Sequence, residues 1–314
     1  MKINEITISA KNTLHPEYIG IREIFNWMKN NNYDQISWSQ LQKQFPQLCQ
    51  KYANTIQQIR KNEKNINQED LSNFLKSYKS NKSFDISQDE YYDPKYSLRP
   101  VKQTVIQINQ NGKLKSDLKR FINLINQASA YDGHPVSSET IGWFRIDHIS
   151  QKYLLIDEIQ SDVFTAIGKT KDILRCKNGN EYIKTLSPQA IQAIQEKGYN
   201  TRDLIANFSY TKQHILQTVK SLENLDKIKQ AFIQQYIDWA EHGLSTIINT
   251  CYDLNIENIL THTTESIAQR DQWVADEDIK VKIYYDNLVR KFGFTKQQIN
   301  TPEIKGVFWV KNLQ

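Results

Sequence analysis

The stretch that most constrains this chain is residues 154–162, Leu154-Leu155-Ile156-Asp157-Glu158-Ile159-Gln160-Ser161-Asp162. An apolar run enters it and polar groups cluster at its end. Such a pattern reads as a buried strand that delivers carboxylates to one edge of a sheet. If the strand alternates, Asp157 and Glu158 point to opposite faces, and only one of them need face a site. Ser161 or Asp162 would cap a helix that follows.

The flanking sequence gives this strand its neighbours. Residues 141–147 are also strand-like, and a mostly polar connection, His148-Ile149-Ser150-Gln151, predicts an antiparallel hairpin with 152–158. Upstream, the β-branched run 101–108 predicts a strand, Asn111-Gly112 a turn, and 118–130 an amphipathic helix. Downstream, 163–224 reads as a polar, mainly helical insertion. Residues 225–254 read as one long helix, with Ile228, Phe232, Tyr236, Ile237, Ala240, Leu244, Ile247, Ile248 and Cys251 recurring at spacings of three and four. Gly243 is a weak point inside it, at about 1 kcal/mol against Ala, and Asn255 ends it. A short strand over 256–263, a helix over 281–291 stopped at Gly293, and a final strand over 306–310 complete the chain. This order predicts an α+β domain over 101–314, a mixed sheet with flanking helices.

Residues 1–100 read as a helical N-terminal region ending in a linker. The apolar positions between Tyr18 and Met28 keep helical spacing, and Ser37 with Gln40 forms a capping-box pattern before a short helix that Pro46 limits. Further helices are predicted over 52–61 and 69–78. The polar stretch 79–100, with Asp93-Pro94 and Arg99-Pro100, reads as a linker or extended surface segment.

Charge and cysteine content narrow the classes. Forty basic against 35 acidic residues leave a net charge of +5, which permits an acidic partner without demanding one. No nucleic-acid recognition pattern is present. Cys49, Cys176 and Cys251 are far apart and odd in number, so neither a metal spacing nor a disulfide framework is implied. No apolar segment approaches the roughly 18 residues of a membrane span, and the start of the chain lacks the apolar run of a signal peptide. The expected location is the cytoplasm.

The candidate site gathers at strand ends. Glu158 suits a general base acting on an amine, against the plainer role of an ion pair. With Asp162 it would alternatively hold a divalent cation through oxygen ligands. Asp162 divides evenly between such roles and helix capping. Gln160 and Ser161 would orient a carboxylate or contact substrate. Arg145 shares a strand face with Trp143 and would meet Glu158 or an anionic ligand. His262 closes the strand 256–263, at a carboxyl end of the kind where open sheets bind ligands. Tyr285 and, in the polar Gln269-Arg270-Asp271 segment, Arg270 are further contacts. His242 reads as a packing or solvated residue of the long helix. No Gly-x-Ser-x-Gly elbow is present.

Two resemblances follow from these residues. The succession 154–158, 225–254, 256–263, 281–294 and 307–310 resembles the later part of a GNAT-type N-acetyltransferase, with Tyr285-Asp286 and Phe292-Gly293-Phe294 carrying much of it. The Glu158-Ile159-Gln160-Ser161-Asp162 strand end, with Gly142-Trp143-Phe144-Arg145 before it, is similar to uncharacterised phage and prophage proteins, including domains of large polyvalent proteins. This second resemblance covers roughly 134–314 and brings no settled chemistry; the first implies a GNAT-like fold, acetyl-CoA or another acyl-CoA as donor, and acyl transfer to an amine with Glu158 as base. The Gly-rich pyrophosphate loop of those enzymes has no counterpart here, and Val289 stands where many place a tyrosine acid. A non-enzymatic virion or host-factor-binding protein on the same fold is the alternative implied, and metal-dependent hydrolysis at Glu158 and Asp162 a third. The partner would be a host or phage protein, and the virion a second location.

Overall fold

Seven strands line up in the order β3-β4-β5-β6-β7-β9-β8, and the hairpin read from the sequence lies at their centre. They are β3 (Phe84–Tyr91), β4 (Gln103–Gln110), β5 (Thr140–His148), β6 (Tyr153–Gln160), β7 (Asn258–His262), β8 (Thr295–Asn300) and β9 (Lys305–Asn312). Every neighbouring pair is antiparallel except β6 and β7, which run parallel. The structure is a computed structural model that describes residues 14–61, 63–78, 84–91, 101–110, 116–131, 134–186, 188, 191–192, 195, 200–263 and 286–313. The class is α+β, a mixed sheet with flanking helices.

The strand period of two sorts the side chains. Ile106, Ile108, Phe144, Ile146, Leu154, Ile156 and Ile259 belong to one large core with residues of the helices Ser116–Tyr131, Asp162–Arg175, Leu222–Tyr236 and Trp239–Asp253. Burying that apolar surface is the main stabilising term, at about 25 cal/mol per Å². The opposite face is different in kind. Leu155, Leu260, Phe308 and Val310 form a small cluster near β9, while Gln103, Gln107, Trp143, Arg145 and Asp157 make the rest of it largely polar yet buried.

The N-terminal region has its own cluster around Ile21, Ile24, Met28, Leu41, Ile56 and Leu71. Two short strands, β1 (Gln35–Ser37) and β2 (Asn65–Asn67), pair antiparallel through Ile36 and Ile66, and each leads into a helix. The capping box at Ser37 and Gln40 forms as the sequence predicts. The helix Pro16–Asn30 is fastened to Trp239–Asp253 by Arg22, which donates to Asn249 and pairs with Asp253 at 3.0 Å. Glu23 pairs with Lys311 of β9 at 3.2 Å.

Several sequence expectations change. Residues 84–91 lie in the stretch read as a linker, yet they form edge strand β3, where Phe84 and Ile86 face the core and the alternate positions are polar. β8 was not predicted; it too is an edge strand, with one buried residue, Ile299. The single helix expected over 225–254 is two, Leu222–Tyr236 and Trp239–Asp253, broken at Ile237 and Asp238. Ile237 is exposed there, and Asp238 turns its carboxylate to buried His242 at 3.1 Å. The expected turn at Asn111-Gly112 lies outside the described residues. Gly293 does end helical residues 286–291, at φ +77. Among the described residues no helix is long and apolar enough to cross a membrane.

Candidate functional site

The site is built on an irregularity of β6. Register with β5 runs Trp143↔Gln160, Phe144↔Ile159 and Arg145↔Glu158, then jumps to Ile146↔Ile156. Asp157 is therefore the extra residue of a β-bulge, the device by which a strand re-aims a side chain. The expectation that Asp157 and Glu158 face opposite ways is corrected on this point. Both carboxylates reach the same guanidinium: Arg145 Nη2 lies 2.9 Å from Glu158 Oε2 and 3.5 Å from Asp157 Oδ2.

Around Asp157 the polar groups converge. Gln103 of β4 donates its amide to Asp157 Oδ2 at 2.9 Å, and His262 Nε2 lies 2.8 Å from Oδ1. The Arg145 guanidinium sits over the Tyr91 ring at 5.4 Å, a cation–π arrangement. Arg145 is 1% exposed, so this charge is removed from water and compensated within the sheet. His262 is likewise buried, against the Phe308 ring.

Burial alone would raise the Asp157 carboxyl, but the His262 hydrogen bond and charge, with Gln103 and Arg145, hold it down to about 2. A carboxylate depressed in the folded state contributes stability above its unfolded value, near 3.8, and loses it as pH falls toward 2. This difference amounts to on the order of 2 kcal/mol. We expect the urea midpoint to fall between pH 4 and pH 2, with a shallower fall in Asp157→Asn. Equal slopes for the two proteins would show that Asp157 is not the titrating group.

A second pair lies further along the same face. Ser161 is the N-cap of the helix Asp162–Arg175: its Oγ accepts from Phe164 N, and it donates to Ile141 O. Asp162, the first helical residue, receives His134 Nδ1 on both oxygens at 3.0 Å, and the Gln160 side-chain amide donates to it. Burial opposes ionisation of Asp162, and the bonds from His134, Gln160 and Ser129 outweigh it, so its pKa is lowered.

The structure thus brings together Arg145, Glu158 and His262 around Asp157, and places Gln160, Ser161 and Asp162 beside them. Glu158 faces Arg145, and Asp162 faces His134. Arg270 and Tyr285 lie outside the described residues. Val289, where a tyrosine was sought, is buried. His134, Gln103 and Tyr91 were missed. Polar Gln103 and Gln107 alternating around Val105 were a readable sign of a polar sheet face; His134 sits in a loop with no periodic signal at all.

Among the described residues the parallel ladder is short. The β6–β7 ladder ends at Ile156↔Thr261, while β6 runs on to Gln160 paired only with β5 among the described residues. The carboxyl ends of this parallel pair carry Asp157, Glu158 and His262, at the end where open sheets take ligands. Comparisons with protein-family models, with curated proteins and with solved structures give no match to this chain.

Proposed function

We propose that this chain is a GNAT-like protein of phage or mobile-element origin that transfers an acyl group from a CoA-type thioester to an amine. The observation that carries the reading is the convergence of Glu158, Asp157 and His262 at the carboxyl end of the parallel pair β6 and β7. The element order around the single parallel strand pair supports the same reading.

Arg145 changes the role of Glu158. A carboxylate 2.9 Å from a buried guanidinium is a poor base, because taking up a proton would break the ion pair. Glu158 instead binds and orients the incoming amine, whose positive charge the half-buried carboxylate attracts. Arg145, itself braced by Asp157, holds it in place.

The test measures melting temperature with acetyl-CoA and S-acetylpantetheine, followed by thioester consumption with amine acceptors. A donor at 100 times its Kd adds about 2.7 kcal/mol of stability. Glu158→Gln is expected to raise KM for the amine more than it lowers kcat. Absence of both binding and turnover would sink the transfer reading.

One observation favours a second reading, a non-enzymatic protein that binds a phage or host partner on this fold. The helix after β6 begins with the carboxylate of Asp162, which takes the favourable place for an anion at a helix N-terminus. A donor pyrophosphate would meet negative charge there. Partner binding in the absence of any thioester binding is the outcome that selects this reading.

A further inference from the structure

We propose that His134 and Asp162 form a proton-transfer dyad, with His134 as the base and Asp162 as its positioning residue. The ring has one orientation. Both oxygens of Asp162 face Nδ1 at 3.0 Å, while the Gln160 amide nitrogen, 3.4 Å from Nδ1, gives its proton to Asp162; the closer carboxylate puts the proton of the neutral ring on Nδ1 and the lone pair on Nε2. The carboxylate then stabilises the imidazolium that forms when Nε2 takes a proton, the role an aspartate plays behind a catalytic histidine.

The loop that presents His134 is fixed rather than loosely draped. His134 N donates to Ser129 O at 3.0 Å, and Gln107 Nε2 of β4 donates to Pro135 O at 3.0 Å. The ring meets Trp143 edge-on at 6.1 Å between centroids. The buried indole Nε1 of Trp143 has no hydrogen-bond partner among the described residues, leaving a donor beside the dyad for a carbonyl-bearing ligand. The exposures are divided as a working base requires: the His134 side chain is 35% exposed and that of Asp162 8%.

The dyad also lies beside the first cluster. Trp143 pairs with Gln160 and Arg145 with Glu158, so the two sets are one strand step of two residues apart, about 7 Å. On the acyl-transfer reading above, Nε2 takes a proton from the ammonium held by Glu158. The free amine attacks the thioester carbonyl, a C–N bond forms and the C–S bond breaks. The thiolate takes the proton back from the imidazolium, and the second amine proton leaves to solvent. The nucleophilic Nε2 itself does not depend on that reading.

The test uses the full chain and diethyl pyrocarbonate, which acylates a basic ring nitrogen with loss of ethyl carbonate. Peptide mass spectrometry compares His134 with His214, an exposed histidine of the helix Thr201–Val219 that serves as internal reference. His134 is expected to react at least as fast as His214 despite its partial cover, and Asp162→Asn to lower the ratio several-fold. Asp162→Asn keeps the Ser161 cap, and an unchanged reference rate with a cooperative melt shows that it folds. A His134 slower than His214 and indifferent to Asp162→Asn would reduce the pair to a staple between loop and helix, and overturn the proposal. If thioester turnover is found, His134→Gln is expected to lower kcat about 100-fold and to remove the rising limb of its pH profile. Turnover indifferent to His134→Gln would overturn the base assignment. Fast, Asp162-dependent acylation without any thioester turnover would uphold the dyad and sink only the transfer reading.

Discussion

Arg145→Met is expected to destabilise the protein by about 3–5 kcal/mol, the cost of leaving a buried charge without its partner. The substitution keeps most of the side-chain volume, so the loss would not come from a cavity. It comes from Asp157, whose side chain is fully buried and which would keep hydrogen bonds to Gln103 and His262 but lose the guanidinium charge. Gln103 supplies a neutral hydrogen bond, and the His262 ring a second hydrogen bond. Urea unfolding of the two proteins at neutral pH gives the difference directly. The double substitution Arg145→Met with Asp157→Asn supplies the control. Removing both charges should recover a large part of the loss, because an uncompensated buried ion costs more than an absent pair. A double variant no better than Arg145→Met alone would mean that the guanidinium acts through packing against Tyr91, not through charge.

What the sequence showed and what it hid separate along physical lines. The central hairpin, the helix Ser116–Tyr131 and the capping box at Ser37 and Gln40 were legible because apolar period and local hydrogen bonding determine them. The edge strands β3 and β8 were not, since an edge strand buries few side chains and its pairing partner is remote in sequence. The bulge at Asp157 was invisible for a related reason. Alternation places Asp157 and Glu158 on opposite faces, and only the register against β5 reveals the extra residue. Of the site, Arg145 facing Glu158 was readable from strand pairing. The partners His262–Asp157 and His134–Asp162 were not, because each joins residues through tertiary contacts that leave no trace in a local window.

The sharpest separation between local and tertiary reasoning is at the helical glycines. By propensity, Gly243→Ala and Gly168→Ala should each gain up to about 1 kcal/mol, both being inside helices. The surroundings predict opposite signs. A Cβ on Gly168 meets nothing within 4 Å, so that variant should gain the full propensity term. A Cβ on Gly243 would overlap the Phe144 ring, with Cζ at 2.8 Å and Ile108 Cδ1 at 3.2 Å. Phe144 cannot yield, because it is buried on β5 and packed on Trp239 at 5.6 Å. From the strand side, Gly142 is pressed in the same way, 2.7 Å from Trp239 Cε3 if it carried a Cβ. The two glycines are what let the helix Trp239–Asp253 lie close against β5. Gly243→Ala should therefore lose about 1–3 kcal/mol, as overpacked cores do. The effect extends beyond stability, since Phe144 stands between Trp143 and Arg145, and a shifted β5 moves Arg145 relative to Glu158 and Trp143 relative to His134. Thermal melts of both alanine variants decide it: a gain for Gly168→Ala beside a loss for Gly243→Ala is the expected pair. A gain for both would mean the helix can back away from the sheet, and that the polar face is not held in register by this contact.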